Sequence, residues 1–256
     1  MHNLFKRGLY LLRSEGIAKF SKRFILFLSR QFPITDRLLF EYSKKIISIR
    51  MQEEKNHSLN EIIDTLYDKT PGIFPYHLGI IQIPEEIQKL AETVKGNKPQ
   101  IIVEIGTNHG GTLYIWSRYF DEVRQIVSID LPEGGYPEIK QQIYKKFPQS
   151  GEINFILADS HQQTTLHKLD DILKGNVDFL FIDADHTYEG VKQDFEMYSQ
   201  LVSDGGIVAF HDVVNHPNHP DVNVDKFWAE IKTQYEHEEI ISNSDQGWGG
   251  IGLLYM

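Results

Sequence analysis

The chain has 256 residues, 41% hydrophobic and 24% charged, the balance of a globular chain with room for one large α/β domain and a helical extension. It contains no cysteine, which excludes disulfide frameworks and thiolate metal sites and fits a reducing, cytoplasmic setting. Its net charge of −10 is uneven: residues 1–50 hold 11 Lys and Arg against Glu15, Asp36 and Glu41, so a basic arm precedes an acidic body that argues against a nucleic acid partner.

Residues 3–30 set Leu4, Phe5, Leu9, Leu12, Phe20, Phe24 and Phe27 at helical spacing among Lys6, Arg7, Arg13, Lys19, Lys22, Arg23 and Arg30. Two readings stand. The helix docks on the domain or on a second subunit, giving a homo-oligomer, or residues 1–31 make peripheral contact with an anionic membrane at its inner surface. No apolar run approaches the roughly 18–20 residues that cross a bilayer, and no secretory signal is read. Residues 35–69 are helix-like and polar. Pro71, Gly72 and Pro75 mark a loop, so the chain divides into a helical extension, 1–75, and a main domain, 76–256. A helix over 83–94 begins with Pro84 at its first turn and ends at Gly96 to Pro99.

From residue 100 short apolar runs alternate with helical stretches. The runs 101–105, 126–129, 153–157, 179–182 and 207–210 suit parallel strands buried on both faces. Helices are expected near 111–120, 137–147, 163–173, 188–202 and 224–234. The fold class is therefore α/β, a doubly wound Rossmann-like sheet. The runs 239–241 and 251–255 leave no room for a crossover helix between them. They close a seven-stranded sheet as an antiparallel hairpin.

In such a sheet ligands bind where strands end. Glu104 ends the first strand and is followed by Gly106, Gly110 and Gly111, with Thr107, Asn108 and His109 between them. Asn108 and His109 break the spacing of a dinucleotide fingerprint. A carboxylate at Glu104 repels a diphosphate and favours a ligand bearing ammonium and sulfonium groups. Asp130 ends the second strand, where an acid accepts bonds from ribose hydroxyls, and Asp159 and Ser160 follow the third, placed to meet an adenine edge.

This ordered series, E-x-G-x-x-x-G, strand–Asp, strand–Asp–Ser, resembles the class I S-adenosylmethionine-dependent methyltransferases over about residues 80–256. The resemblance implies that Glu104, Gly106 and Gly110 line the methionine end of S-adenosyl-L-methionine and that Thr107, Asn108 and Asp183 also bind the cofactor. It implies that Asp130 holds the ribose and that Asp159 and Ser160 meet adenine.

Asp183 ends the fourth strand and His211-Asp212 the fifth, so both acids share one rim of the sheet and can converge on a hard divalent cation, Mg or Mn. His186, three residues past Asp183 and expected off the ion, suits a general base. The spacing 183, 186, 211, 212 resembles that of metal-dependent small-molecule O-methyltransferases. The histidine at 186 is similar to macrolide sugar O-methyltransferases and the cephalosporin-hydroxylase-like group. Residues 227–232 and 247–252 carry the same likeness. The resemblance implies Asp183, His211 and Asp212 as ligands, but His211 replaces the usual carboxylate, and imidazole favours softer ions. A softer metal, Asp185 replacing His211, and no metal at all stay open. The loop from Asn215 to Asp221 is expected to cover substrate, with His216 and His219 solvated rather than ligating a second metal. The implied reaction is methylation of a hydroxyl on a sugar or glycosylated small molecule, as in polysaccharide biosynthesis. A phenolic or polyketide acceptor, an NAD(P)-linked oxidoreductase and a non-catalytic membrane or assembly protein are the alternatives.

Overall fold

A computed structural model describes residues 33–54, 58–67, 71–73, 75–132, 138–149 and 151–256. The amphipathic stretch 3–30, with its membrane or partner contact, lies outside the described residues. Two helices, α1 (Pro33–Glu53) and α2 (Leu59–Tyr67), precede α3 (Pro84–Gly96). The alternating unit then runs β1 (Ile101–Ile105), α4 (Gly111–Tyr119), β2 (Gln125–Asp130), a 3₁₀ turn (Glu138–Lys140), α5 (Gln141–Tyr144), β3 (Glu152–Leu157) and α6 (Gln163–Ile172). It continues through β4 (Val177–Ile182), α7 (Tyr188–Tyr198), β5 (Val202–His211) and α8 (Val224–Ile231) to β6 (Glu236–Ile240) and β7 (Ile251–Tyr255).

The seven strands form one sheet in the order β3-β2-β1-β4-β5-β7-β6. β1 to β5 are parallel. β7 runs antiparallel to β5, and β6 antiparallel to β7, as the hairpin reading requires. The expected helix over 137–147 is shorter, reduced to the 3₁₀ turn and the four residues of α5.

Strand alternation sorts the core into two layers. Ile102, Phe179, Phe181, Ile207 and Ala209 face one side, under α3 and α4, where Trp116 is fully buried. Ile101, Val103, Ile105, Leu180, Ile182, Val208 and Phe210 face the other, against α7 and α8. Phe40, Ile47, Leu59, Ile62 and Leu66 of α1 and α2 join the first layer, so these helices share its core. Among the described residues no helix is long and apolar enough to cross a membrane.

Candidate active site

The carboxyl ends of β1 to β5 open onto two adjoining clefts. The larger, about 690 Å³, lies over β1, β2 and β3 and is lined by Gly106, Asn108, Asp130, Asp159, Ser160, Asp183 and His186 among others. The smaller, about 300 Å³, lies over β4 and β5 beneath the segments 79–82, 216–222 and Trp248. Gly106, Asn108, Asp183 and His186 line both. The strand-end residues found in the sequence thus meet at the junction of two chambers.

The loop after β1 is held from beneath. Gly106 has φ +92°, and a Cβ there would lie 2.0 Å from the Asp183 carbonyl oxygen, so only glycine fits. Asp130 Oδ2 accepts the backbone N–H groups of Thr107 (2.9 Å) and Asn108 (2.6 Å), and Oδ1 accepts that of Leu131 (2.7 Å). Asp130 therefore pins the loop as well as lining the cleft. Asp159 caps its own loop through His161 N–H (3.0 Å) and the Gln162 side chain (2.9 Å). Ser160 is braced by Tyr198, whose hydroxyl donates to its carbonyl at 2.6 Å.

Glu104 departs from the expected placement. It shares the face of Ile102, so its side chain points under α4 and away from the cleft. It is fully buried, accepting bonds from Trp116 Nε1 (2.9 Å) and Thr107 Oγ1 (2.7 Å). Burial pushes its carboxyl up to about 7, against the opposing hydrogen bonds. Its place supports the loop from behind and does not line either cleft.

Asp183, His186 and Asp212 each offer a ligand atom within 4.8 Å of the others, the spread a single cation spans. His186 Nδ1 is 3.0 Å from Asp212 Oδ2, so His186 shares the rim with both acids. That hydrogen bond raises its pKa, against burial. His211, implied as a ligand, is nearly enclosed. Its Nδ1 lies 3.2 Å from Asp183 Oδ1 and 3.3 Å from Asp212 Oδ1. Burial opposes its charge, but the two carboxylates outweigh it and raise the imidazole to about 10. Its Nε2 has no hydrogen-bond partner among the described residues. Asp212 is also buried, yet bonds from His186 and His211 hold it well below the usual carboxylate range. Its φ of +64° is unusual for a residue with a side chain and aims the carboxylate back at the rim. Asp185 is not in this cluster. It accepts the Thr187 N–H at 2.9 Å and lines the larger cleft.

Sequence reasoning missed three neighbours. Gln82 donates to Asp183 Oδ2 at 2.5 Å from a segment 101 residues away. His216, expected in a solvated loop, is buried. Its Nδ1 lies 2.7 Å from the Val214 carbonyl and so carries the proton, and its Nε2 accepts the Gly249 N–H at 3.2 Å. Nε2 also lies 3.1 Å from Asp212 Oδ1. The charged His211 imidazole, whose Nδ1 lies 3.3 Å from the same Asp212 oxygen, offsets the repulsion between these two acceptors. Trp248 joins the smaller cleft from the β6–β7 loop. The one forward signal was the i, i+4 spacing of Asp212 and His216.

Residues 103–213 match the family described as a methyltransferase domain. Over 134 residues the chain is 32% identical to the uncharacterized protein R132 of Acanthamoeba polyphaga mimivirus, covering 51% of this chain and 60% of that one. The chain thus spans less than two thirds of that relative's length. Among solved structures, an O-methyltransferase from Bacillus cereus in complex with SAH has a TM-score of 0.53 at 19% identity, covering 79% of this chain and 92% of that one. The O-methyltransferase TomG from Streptomyces achromogenes, involved in tomaymycin synthesis and solved with SAM, has a TM-score of 0.55 at 18% identity, covering 84% and 98%. Residues 103–213 therefore resemble a methyltransferase domain, and the chain shares the seven-stranded α/β fold of these O-methyltransferase structures.

Proposed function

We propose that the protein is an S-adenosylmethionine-dependent O-methyltransferase acting on a hydroxyl of a sugar or glycosylated small molecule, assisted by a divalent cation, with His186 as general base. The observation that carries this reading is the pair of clefts joined at Gly106, Asn108, Asp183 and His186. Two chambers sharing a wall suit a transfer between two bound molecules.

S-adenosylmethionine, when bound, supplies an electrophilic methyl group on a sulfonium. The larger cleft has the volume and the strand-end acids for it, with Asp130 toward the ribose and Asp159 and Ser160 toward the base. The cation would be held by Asp183 and Asp212 and would acidify a hydroxyl beside it. Asp212 engages His186 Nδ1 and leaves Nε2 to take the proton of the acceptor hydroxyl. The oxygen bonds to the methyl carbon as the carbon–sulfur bond breaks. The products are a methyl ether, a neutral thioether and one proton on His186. Fixing the two reactants across one wall supplies most of the remaining acceleration.

Calorimetry separates this from the oxidoreductase reading. S-adenosylhomocysteine should bind and NAD should not; the reverse result overturns the proposal. His186→Ala should lower turnover roughly 10²–10⁴-fold, the range for a general base, while S-adenosylhomocysteine affinity stays within a factor of a few. Chelation by EDTA should abolish turnover, and full activity in chelator removes the cation from the mechanism.

A further inference from the structure

We propose that Trp248 is a platform on which the acceptor stacks, held in place by Glu86 as a positioning residue. The ligand class is a six-membered ring with one flat apolar face and a hydroxyl on its edge. The inference rests on the reading above for the chemistry of that hydroxyl, but the platform can be tested apart from it.

The loop joining β6 to β7 is anchored by a buried carboxylate. Glu86 of α3 is fully enclosed, and its oxygens accept the Ser242 N–H (3.0 Å), the Gly250 N–H (2.8 Å) and the Gln246 side-chain amide (2.7 Å). The same Gln246 nitrogen donates to the Trp248 carbonyl at 3.0 Å, and the Gly249 N–H is held by His216. The loop is thus fixed at both ends and near its tip. On this fixed loop Trp248 remains 42% exposed. An indole gains by burial, so one held open to water on a rigid support keeps an unpartnered surface.

That surface lies on the smaller cleft. Ile80, Ile81 and Val222 line the same chamber, and Ile81 is 61% exposed. The chamber also exposes Asp183, His186 and Asp212. An apolar rim over a polar, charged floor fits a ring whose flat face meets Trp248 while a hydroxyl on its edge reaches the floor. A pyranose presents such a face through its C–H bonds and a phenol through its π system. Both share this shape, and the titration below distinguishes them.

The chain has three tryptophans, and Trp116 and Trp228 are buried. In full-length protein labelled with 5-fluorotryptophan, three ¹⁹F resonances are expected, and Trp248→Phe identifies the one from Trp248. Titration with methyl glucopyranoside should shift that resonance and leave the other two in place. A shift with catechol alone would keep the platform and assign an aromatic ring. No shift with either ring overturns the platform. Trp248→Ala should raise the acceptor KM about 10-fold, the worth of one aromatic contact, with kcat little changed. Glu86→Gln should do the same and also broaden the Trp248 resonance; an unchanged KM and resonance would remove Glu86 from the role. Ring-dependent shifts in a protein that fails to bind S-adenosylhomocysteine would overturn the methyl transfer reading and leave the platform standing.

Discussion

Glu104 is a charged side chain with no exposed surface, and its neighbours are neutral donors: Trp116, Thr107 and, through Thr107, Ser128. With its folded pKa pushed up to about 7, the native state holds a proton between the ordinary carboxylate value and 7 that the unfolded chain has lost. The native state therefore binds more protons in that window, and stability falls as pH rises through it. Glu104→Gln removes this dependence. Relative to wild type, the variant should gain about 3 kcal/mol between pH 4.5 and 8. Urea unfolding of both proteins at several pH values measures it, and a difference that stays flat with pH would show that Glu104 titrates normally. The same residue shows where single-residue reading succeeded and failed. Asp183 and Asp212 were found because each follows an apolar strand run, and strand ends gather on one rim. Glu104 was placed on the ligand side although period-2 alternation puts it with Ile102 beneath α4. Gln82 and His216 could not be found this way, because loops bring them to Asp183 and Asp212 and loop paths are not written in local periodicity.

At the scale of elements, the strands were legible because burial on both faces leaves continuous apolar runs, as in the Phe179 to Ile182 segment of β4. α5 was overestimated because Ile143, Tyr144 and Phe147 are apolar for packing against neighbours such as Phe155 rather than for a long helix. The start of α7 matters most for function, since it follows His186 directly. Thr187 is its N-cap, with the hydroxyl accepting the Gly190 N–H at 3.0 Å, and Asp185 accepts the Thr187 N–H. This double turn fixes where His186 leaves the rim. Thr187→Ala should cost about 1 kcal/mol of stability, the usual worth of a cap, read as a lowered Tm. Turnover should fall more than cofactor affinity, because the turn sets the base and not the larger cleft. Equal losses in both would show that the cap only supports the fold.

At the scale of the whole molecule, the helices before residue 75 are joined to the sheet by more than apolar contact. Glu54, just past α1, is buried with Arg118 of α4; their side chains meet at 3.2 Å, and the Tyr114 hydroxyl donates to Glu54 at 2.6 Å. Arg118 also donates to the Met51 carbonyl at 3.2 Å. Phe40, Ile47, Ile62 and Leu66, from the helical extension read before residue 75, lie in one core with Trp116 and Ile102. We expect unfolding as one cooperative unit on this ground. Glu54→Ala removes the carboxylate that Arg118 and Tyr114 share, and breaking a buried pair from one side costs about 3–5 kcal/mol. Since α4 begins at Gly111, at the end of the glycine loop, that loss reaches the larger cleft through the helix. The variant should unfold at lower denaturant in a single transition, with tryptophan fluorescence and far-ultraviolet circular dichroism coinciding. Two separated transitions, the first losing helical signal while the buried Trp116 stays shielded, would instead make the α1–α2 region a separate folding unit. In that case Glu54→Ala should leave S-adenosylhomocysteine binding intact, whereas a shared core requires binding to weaken with the loss of stability.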